Sequence, residues 1–187
     1  MNKTLLSVVL LCSAVVARAD MGVAKIAGTA AGSAIAGTVS FEDTAAGLKI
    51  SASLHGLTPG AHGFHIHEWG NCDDSAKAAG GHFNPAHAAH GEVLKNGPEK
   101  AHAGDMGNIT ADAKGDATLN AVIPGVGLSG GNFLVAGRAV VVHEKADDFS
   151  QPAGNAGGRV ACGVIGLFGP VAAPAAAPAP AAAPAKK

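Results

Sequence analysis

Six of the nine histidines in this chain fall at spacings that suit two adjoining metal sites. The run opens with Gly63-Phe64-His65-Ile66-His67, continues through Gly81-His82-Phe83-Asn84-Pro85, His90, His102 and Asp105, and closes at Val141-Val142-His143. The chain has no Tyr and a single Trp, so the imidazoles are not a by-product of a ring-rich composition. A lone histidine in a strand or loop is usually a satisfied polar residue or a solvated one, and His55 and His87 read that way. For the six, the joint spacing outweighs that ordinary reading.

His65 and His67 stand two apart in a predicted strand, so both point to one face while Phe64 and Ile66 point to the core. His143 ends an apolar stretch and can approach the same point from a neighbouring strand. With His82 these make four imidazoles, and an all-nitrogen, flattened four-coordinate set favours copper. The second pattern is His82-x7-His90-x11-His102-x2-Asp105. Three imidazoles and one carboxylate make a closed tetrahedral set of the kind that holds zinc. His82 belongs to both sets. An imidazole has two ring nitrogens, so one deprotonated ring can bridge two metals, and such a bridge couples the copper redox state to a proton on the freed nitrogen.

The elements that must position these groups are strands. Apolar residues alternate at Ile35, Val39 and Phe41, at Leu48, Ile50, Ala52 and Leu54, at Phe64 and Ile66, at Leu119 and Ala121, and at Val160, Cys162 and Val164. Residues 133–142 are apolar enough for one buried strand. Gly-rich breaks separate the runs, and no convincing amphipathic helix interrupts them. The pattern predicts an all-β antiparallel sandwich or barrel. Residues 70–107 and 147–158 fit no strand. Loops of that length inside a compact domain usually carry function, and the first holds most of the candidate ligands.

The ends read differently from the middle. Residues 1–19 resemble an export leader: Lys3, an apolar stretch from Leu5 to Val16, and Ala17-Arg18-Ala19 before Asp20. That apolar stretch is too short to span roughly 30 Å of hydrocarbon, so no membrane span is expected. Loss of the leader removes Lys3, Arg18 and Cys12, leaving a net charge of −3. That balance, without an arginine-rich stripe, argues against nucleic acid as a partner. Cys72 and Cys162 remain, and a disulfide between them is the natural reading in an oxidising compartment. Residues 20–168 suit one domain. Residues 169–187 are nearly all Ala and Pro and read as a solvated tail, a candidate contact with the cell envelope.

The stretches 63–70, 81–85, 102–112, 137–148 and 154–166 together resemble the copper/zinc superoxide dismutase family across essentially the whole domain. The resemblance implies a Greek-key β-barrel that binds one copper and one zinc per subunit and acts on superoxide anion. Carried over by position, His65, His67, His82 and His143 resemble the family's copper ligands, and His82, His90, His102 and Asp105 its zinc ligands. Asp147 matches the carboxylate that hydrogen-bonds one histidine of each set, here His65 and His90. His62 matches a residue supporting the copper strand, and Cys72 and Cys162 match the family disulfide. Arg159 matches the arginine that guides superoxide; a fixed guanidinium can neutralise and orient a small anion at a metal. His82 and Arg159 are therefore the residues expected to act on substrate and proton.

Departures from cytosolic animal-type members are specific. The 147–159 stretch is shorter and lacks their Glu/Lys cluster, Ala153 stands where a channel threonine is usual, and the Cys72-to-His82 interval is longer. These features look more like exported bacterial members, with the periplasm as the expected compartment and the extracellular space as the alternative. Lys77, Lys95 and Lys100 are the candidates for compensating charge. Family branches differ in subunit contacts, so a homodimer is left open. The competing function is a non-catalytic exported copper/zinc-binding protein, expected to lack Arg159 or a copper ligand; this chain keeps both. A copper-delivery role would call for C-x-C or C-x-x-C pairs, which are absent.

Overall fold

The alternation of apolar residues along the chain reappears as strands that each turn one face inward. The computed structural model describes residues 19–168, so the expected tail and all but the last residue of the expected leader lie outside the described residues. The strands are β1 (Met21–Gly28), β2 (Ala36–Thr44), β3 (Gly47–His55), β4 (Gly60–His67), β5 (Asp105–Ala111), β6 (Ala117–Ile123), β7 (Val126–Gly127), β8 (Phe133–Leu134), β9 (Ala139–His143), β10 (Arg159–Val164) and β11 (Gly166–Phe168). The order β10-β9-β4-β5-β6-β3-β2-β1, closed by pairing of β1 with β10, makes an eight-stranded antiparallel barrel. β11 adds to the far part of β1. β9 returns by a long connection to lie beside β4 after β5 and β6, which is a Greek-key arrangement. Closure leaves the barrel strands without a free edge.

The core is the inward set: Val39 and Phe41 of β2, Leu48, Ile50 and Leu54 of β3, Phe64 and Ile66 of β4, Ile109 of β5, Val140 and Val142 of β9. β1 contributes Ala24 and Ile26, a strand the apolar pattern alone had not marked. β4 and β9 are unusual in being buried on both faces. Their outer faces lie under the two long loops, which is why β9 reads as continuous apolar sequence rather than alternating. That outer face is where His65, His67 and His143 point.

Three expectations change. Residues 133–142 are not one strand: β8 ends at Leu134 and β9 starts at Ala139. Between them Gly137 takes φ 77°, Arg138 N donates to Val135 O, and the Arg138 side chain ties to Leu134 O and Glu68 O. The 70–107 stretch is not wholly free of strand: Asp105 already begins β5, and the part before it holds a 3-10 turn (Lys77–Ala79) and a short helix, α1 (Val93–Asn96). In β10 the inward residues near the C-terminal end are Ala161 and then Ile165 beyond the strand, while Val164 is exposed. Ala161 lies opposite core residue Val142 and Val164 opposite Ala139 of the outer face, while a register shift two residues earlier sets Arg159 opposite His143. An extra residue in one strand changes which face its neighbours take.

Candidate metal centre

Strand pairing brings the histidines of β4 and β9 side by side. His65 lies opposite Val141 and His67 opposite Ala139, so His143 projects from the same outer face two residues beyond Val141. β5 adds Asp105 opposite His65, through its own register shift. The loop after β4 folds back so that His82 bridges to His67 and Phe83 N donates to Ile66 O at 2.9 Å. Gly104 makes this return fit: a Cβ there would sit 2.1 Å from Ile66 O. The outcome is two groups, His65, His67, His82 and His143, and His82, His90, His102 and Asp105, each with its donor atoms within 4.8 Å of one another.

The hydrogen bonds at the far side of each ring identify the nitrogen that is left free. His65 Nε2 donates to Asp147 Oδ2 at 2.8 Å, and its buried Nδ1 has no hydrogen-bond partner among the described residues. His67 Nδ1 donates to Gly80 O at 3.0 Å, and His143 Nδ1 faces Gly157 O at 3.4 Å. Their Nε2 atoms therefore meet at 3.3 Å with lone pairs on both sides. Two lone pairs so close, with a buried unpartnered Nδ1 beside them, suit a shared cation and nothing apolar.

The second group repeats the logic. His82 Nδ1 lies 2.8 Å and His102 Nδ1 3.1 Å from Asp105 Oδ1. His90 Nδ1 lies 2.8 Å from Asp105 Oδ2 yet has no hydrogen bond, because the angle is wrong for one. His90 Nε2 donates instead to Asp147 Oδ1 at 2.9 Å. Asp147 thus spans the two groups, one oxygen on each. Its own backbone is gripped by Asn108, whose amide accepts from Asp147 N at 2.7 Å and donates to Asp147 O at 3.0 Å. Gly154 is required here, since a Cβ would fall 1.8 Å from Asp147 Oδ1.

Burial raises the pKa of Asp105, but hydrogen bonds from His102, His82 and Gly91 N outweigh it and hold the carboxylate below its ordinary range. Burial also lowers His65, His67 and His143, reinforced by neighbouring imidazoles. Neutral imidazoles and an ionised carboxylate are the forms that bind metals.

Arg159 stands opposite His143 at the end of the β9–β10 ladder. Its Nη1 donates to Ala76 O at 2.5 Å and its Nη2 to Gly80 O at 2.7 Å. Burial lowers its pKa from the ordinary value, and a guanidinium remains charged across the physiological range. His67, His82, His143, Ala153, Asn155 and Arg159 line one cavity of about 410 Å³. His62 lies outside both groups: Nδ1 donates to His143 O at 2.8 Å and Nε2 faces Thr58 O at 2.8 Å. Cys72 and Cys162 form a disulfide, with Cα atoms 5.8 Å apart.

The copper/zinc superoxide dismutase family model matches residues 35–165. The chain belongs to the copper/zinc superoxide dismutase family. It is 42% identical over 137 residues to "Extracellular superoxide dismutase [Cu-Zn]" of Caenorhabditis elegans, covering 70% of this chain and 60% of that protein. The chain therefore spans about 60% of the length of that relative. A crystal structure of "the clock protein EA4" superposes with a TM-score of 0.68 at 37% identity, covering 79% of this chain and 94% of that one. The family's metals are copper and zinc, and the donor sets fit them: four nitrogens in one group, three nitrogens and a carboxylate in the other. Among the described residues, no helix is long and apolar enough to cross a membrane.

Asn108, Gln151 and the carbonyls of Ala76 and Gly80 also serve this site, and sequence reasoning did not single them out. They act through main-chain atoms or main-chain partners, which leave no mark in residue spacing. Only Gly154, in a Gly-Asn-Ala-Gly run, carried a visible cue.

Proposed function

We propose that this protein dismutates superoxide, converting two superoxide anions and two protons to dioxygen and hydrogen peroxide. His65, His67, His82 and His143 would hold copper, and His82, His90, His102 and Asp105 would hold zinc. Copper, when bound, supplies the alternating one-electron exchange, and zinc supplies no redox chemistry. The observation that carries the reading is Arg159, a guanidinium fixed by two carbonyls on the wall of the cavity that His67, His82 and His143 also line.

The chain's own residues then have separate tasks. Arg159 neutralises and orients a small anion, and its bonds to Ala76 O and Gly80 O prevent it from swinging away. His82 turns Nδ1 toward Asp105, which leaves Nε2 as the atom that can hold a proton at the cavity wall. Asp147 fixes ring orientation in both groups, as carboxylates beyond the ligand shell do. Phe64 and Ile66, behind the histidines, keep the barrel interior apolar.

Superoxide consumption by the leader-free protein, loaded with copper and zinc and compared with zinc-only and apo samples, tests this. Fast, copper-dependent consumption is expected. Full copper binding without consumption would instead identify a non-catalytic metal-binding protein. We also read the protein as exported, to the periplasm or otherwise to the extracellular space; the disulfide and a relative named extracellular support export. Cell fractionation that finds the protein in the cytosol would refute it.

A further inference from the structure

We propose that Gln151 is a positioning residue for the zinc group, acting through the backbone of His90. Its side-chain amide makes a reciprocal pair with one residue: Oε1 accepts from His90 N at 3.0 Å, and Nε2 donates to His90 O at 2.8 Å. The two residues are 61 positions apart, so no local turn accounts for the contact. His90 lies in the loop between β4 and β5, outside any strand, and so has no ladder neighbour for its backbone. Gln151 supplies what a neighbouring strand would.

The contact matters because of what it completes. The His90 ring is already held at Nε2 by Asp147, four residues before Gln151 in the same loop. One short segment thus grips His90 at both ends, Asp147 at the ring and Gln151 at the main chain. What remains free is Nδ1, which lies 2.8 Å from Asp105 Oδ2 without a hydrogen bond to it. With backbone and far nitrogen both fixed, the ring has no freedom to turn Nδ1 away from the second group. Gly91 N, next in the chain, donates to Asp105 Oδ2 at 2.9 Å and adds a third tie. The same loop places Ala153 and Asn155 on the copper-side cavity, so the clamp also sets that wall against the zinc group.

The idea rests on His90 being a zinc ligand, and the test separates the two. Zinc affinity of the full chain would be measured by chelator competition for wild type, Gln151→Ala, Gln151→Glu and His90→Ala, together with the visible spectrum of the cobalt(II)-substituted site and the melting temperature of the apo protein. Gln151→Ala is expected to weaken zinc about 10-fold or more and to change the cobalt bands, with copper affinity and apo melting near wild type. Gln151→Glu keeps the acceptor for His90 N but sets an anion against His90 O, so it is expected to fail as a substitute. Unchanged zinc affinity and cobalt bands in Gln151→Ala would overturn the clamp. Equal losses of copper, zinc and apo stability would overturn it too, as general destabilisation. Wild-type zinc affinity in His90→Ala would overturn the ligand reading beneath it.

Discussion

His67 and Arg159 hang from one carbonyl. Gly80 O is 3.0 Å from His67 Nδ1 and 2.7 Å from Arg159 Nη2. The ring and the cation are thereby held in a fixed relation through an atom that belongs to neither. Gly80 follows the 3-10 turn with φ 76°, and a Cβ on it would press on Trp69 Cδ1 at 2.6 Å. Few other residues can stand at this point.

Arg159→Ala should lower superoxide turnover by roughly 10²-fold while copper and zinc stay bound, because a preoriented charge beside the reacting anion is lost. Arg159→Lys should fall between, since a lysine keeps the charge but cannot fork to Ala76 O and Gly80 O. Pulse-radiolytic rates with parallel metal analysis would decide it. An unchanged rate in Arg159→Ala would remove the arginine from the mechanism.

Asp147→Ala takes away the acceptor of both His65 Nε2 and His90 Nε2. Metal affinity should fall about 10–100-fold, with zinc at least as affected as copper. Chelator competition on the purified variant measures both. If neither affinity moves, the rings are held without the carboxylate.

The metal-free protein should lose stability as pH falls below about 6.5. Burial, with repulsion from His82, pushes His67 down to about 2, and burial, with repulsion from His65, pushes His143 to about 3. In the unfolded chain both take a proton near the ordinary value of 6.5. Below that pH the unfolded state binds more protons, so stability is full above it and drops by up to about 1.4 kcal/mol per pH unit for each histidine. Thermal melts of chelator-treated protein at about pH 7.5 and about pH 5 test this. A melting temperature that stays flat over that range would contradict the burial argument.

Breaking the disulfide should cost both stability and activity. A cross-link between residues 90 apart contributes up to roughly 4–5 kcal/mol on the chain-entropy model. Cys72 also anchors the turn that presents Ala76 O to Arg159, since Ala76 N donates to Cys72 O at 3.1 Å. Cys72→Ser with Cys162→Ser should melt several degrees lower, and its residual turnover at low temperature should fall while metal content holds. Wild-type turnover in folded, metal-replete variant would separate the disulfide from the arginine.

What could be read along the chain is what depends on neighbours in sequence. The two-residue period of a strand put His65 and His67 on one face and Phe64 and Ile66 on the other, and the same period marked β2 and β3 through Val39, Phe41, Leu48 and Ile50. The barrel class followed from the repetition of that signal, and the donor types of the second group from His90, His102 and Asp105. β1 was not marked because Gly22, Ala24 and Ala27 carry little apolar contrast.

Tertiary structure decided everything that depends on which strands lie side by side. The β4–β9 register, not the spacing, puts His143 on the same outer face as His65 and His67. The register shift before Ala161 places Arg159 opposite His143; alternation read back from Cys162 would have turned it inward. Gly137 and Arg138 break the 133–142 stretch because the guanidinium has carbonyls to meet at Leu134 and Glu68. Gln151 finds His90 across 61 residues. The division has one physical reason: side-chain direction within a strand is a local property of the backbone, whereas register, bulges and main-chain clamps arise only when the barrel closes and distant segments must share their hydrogen bonds.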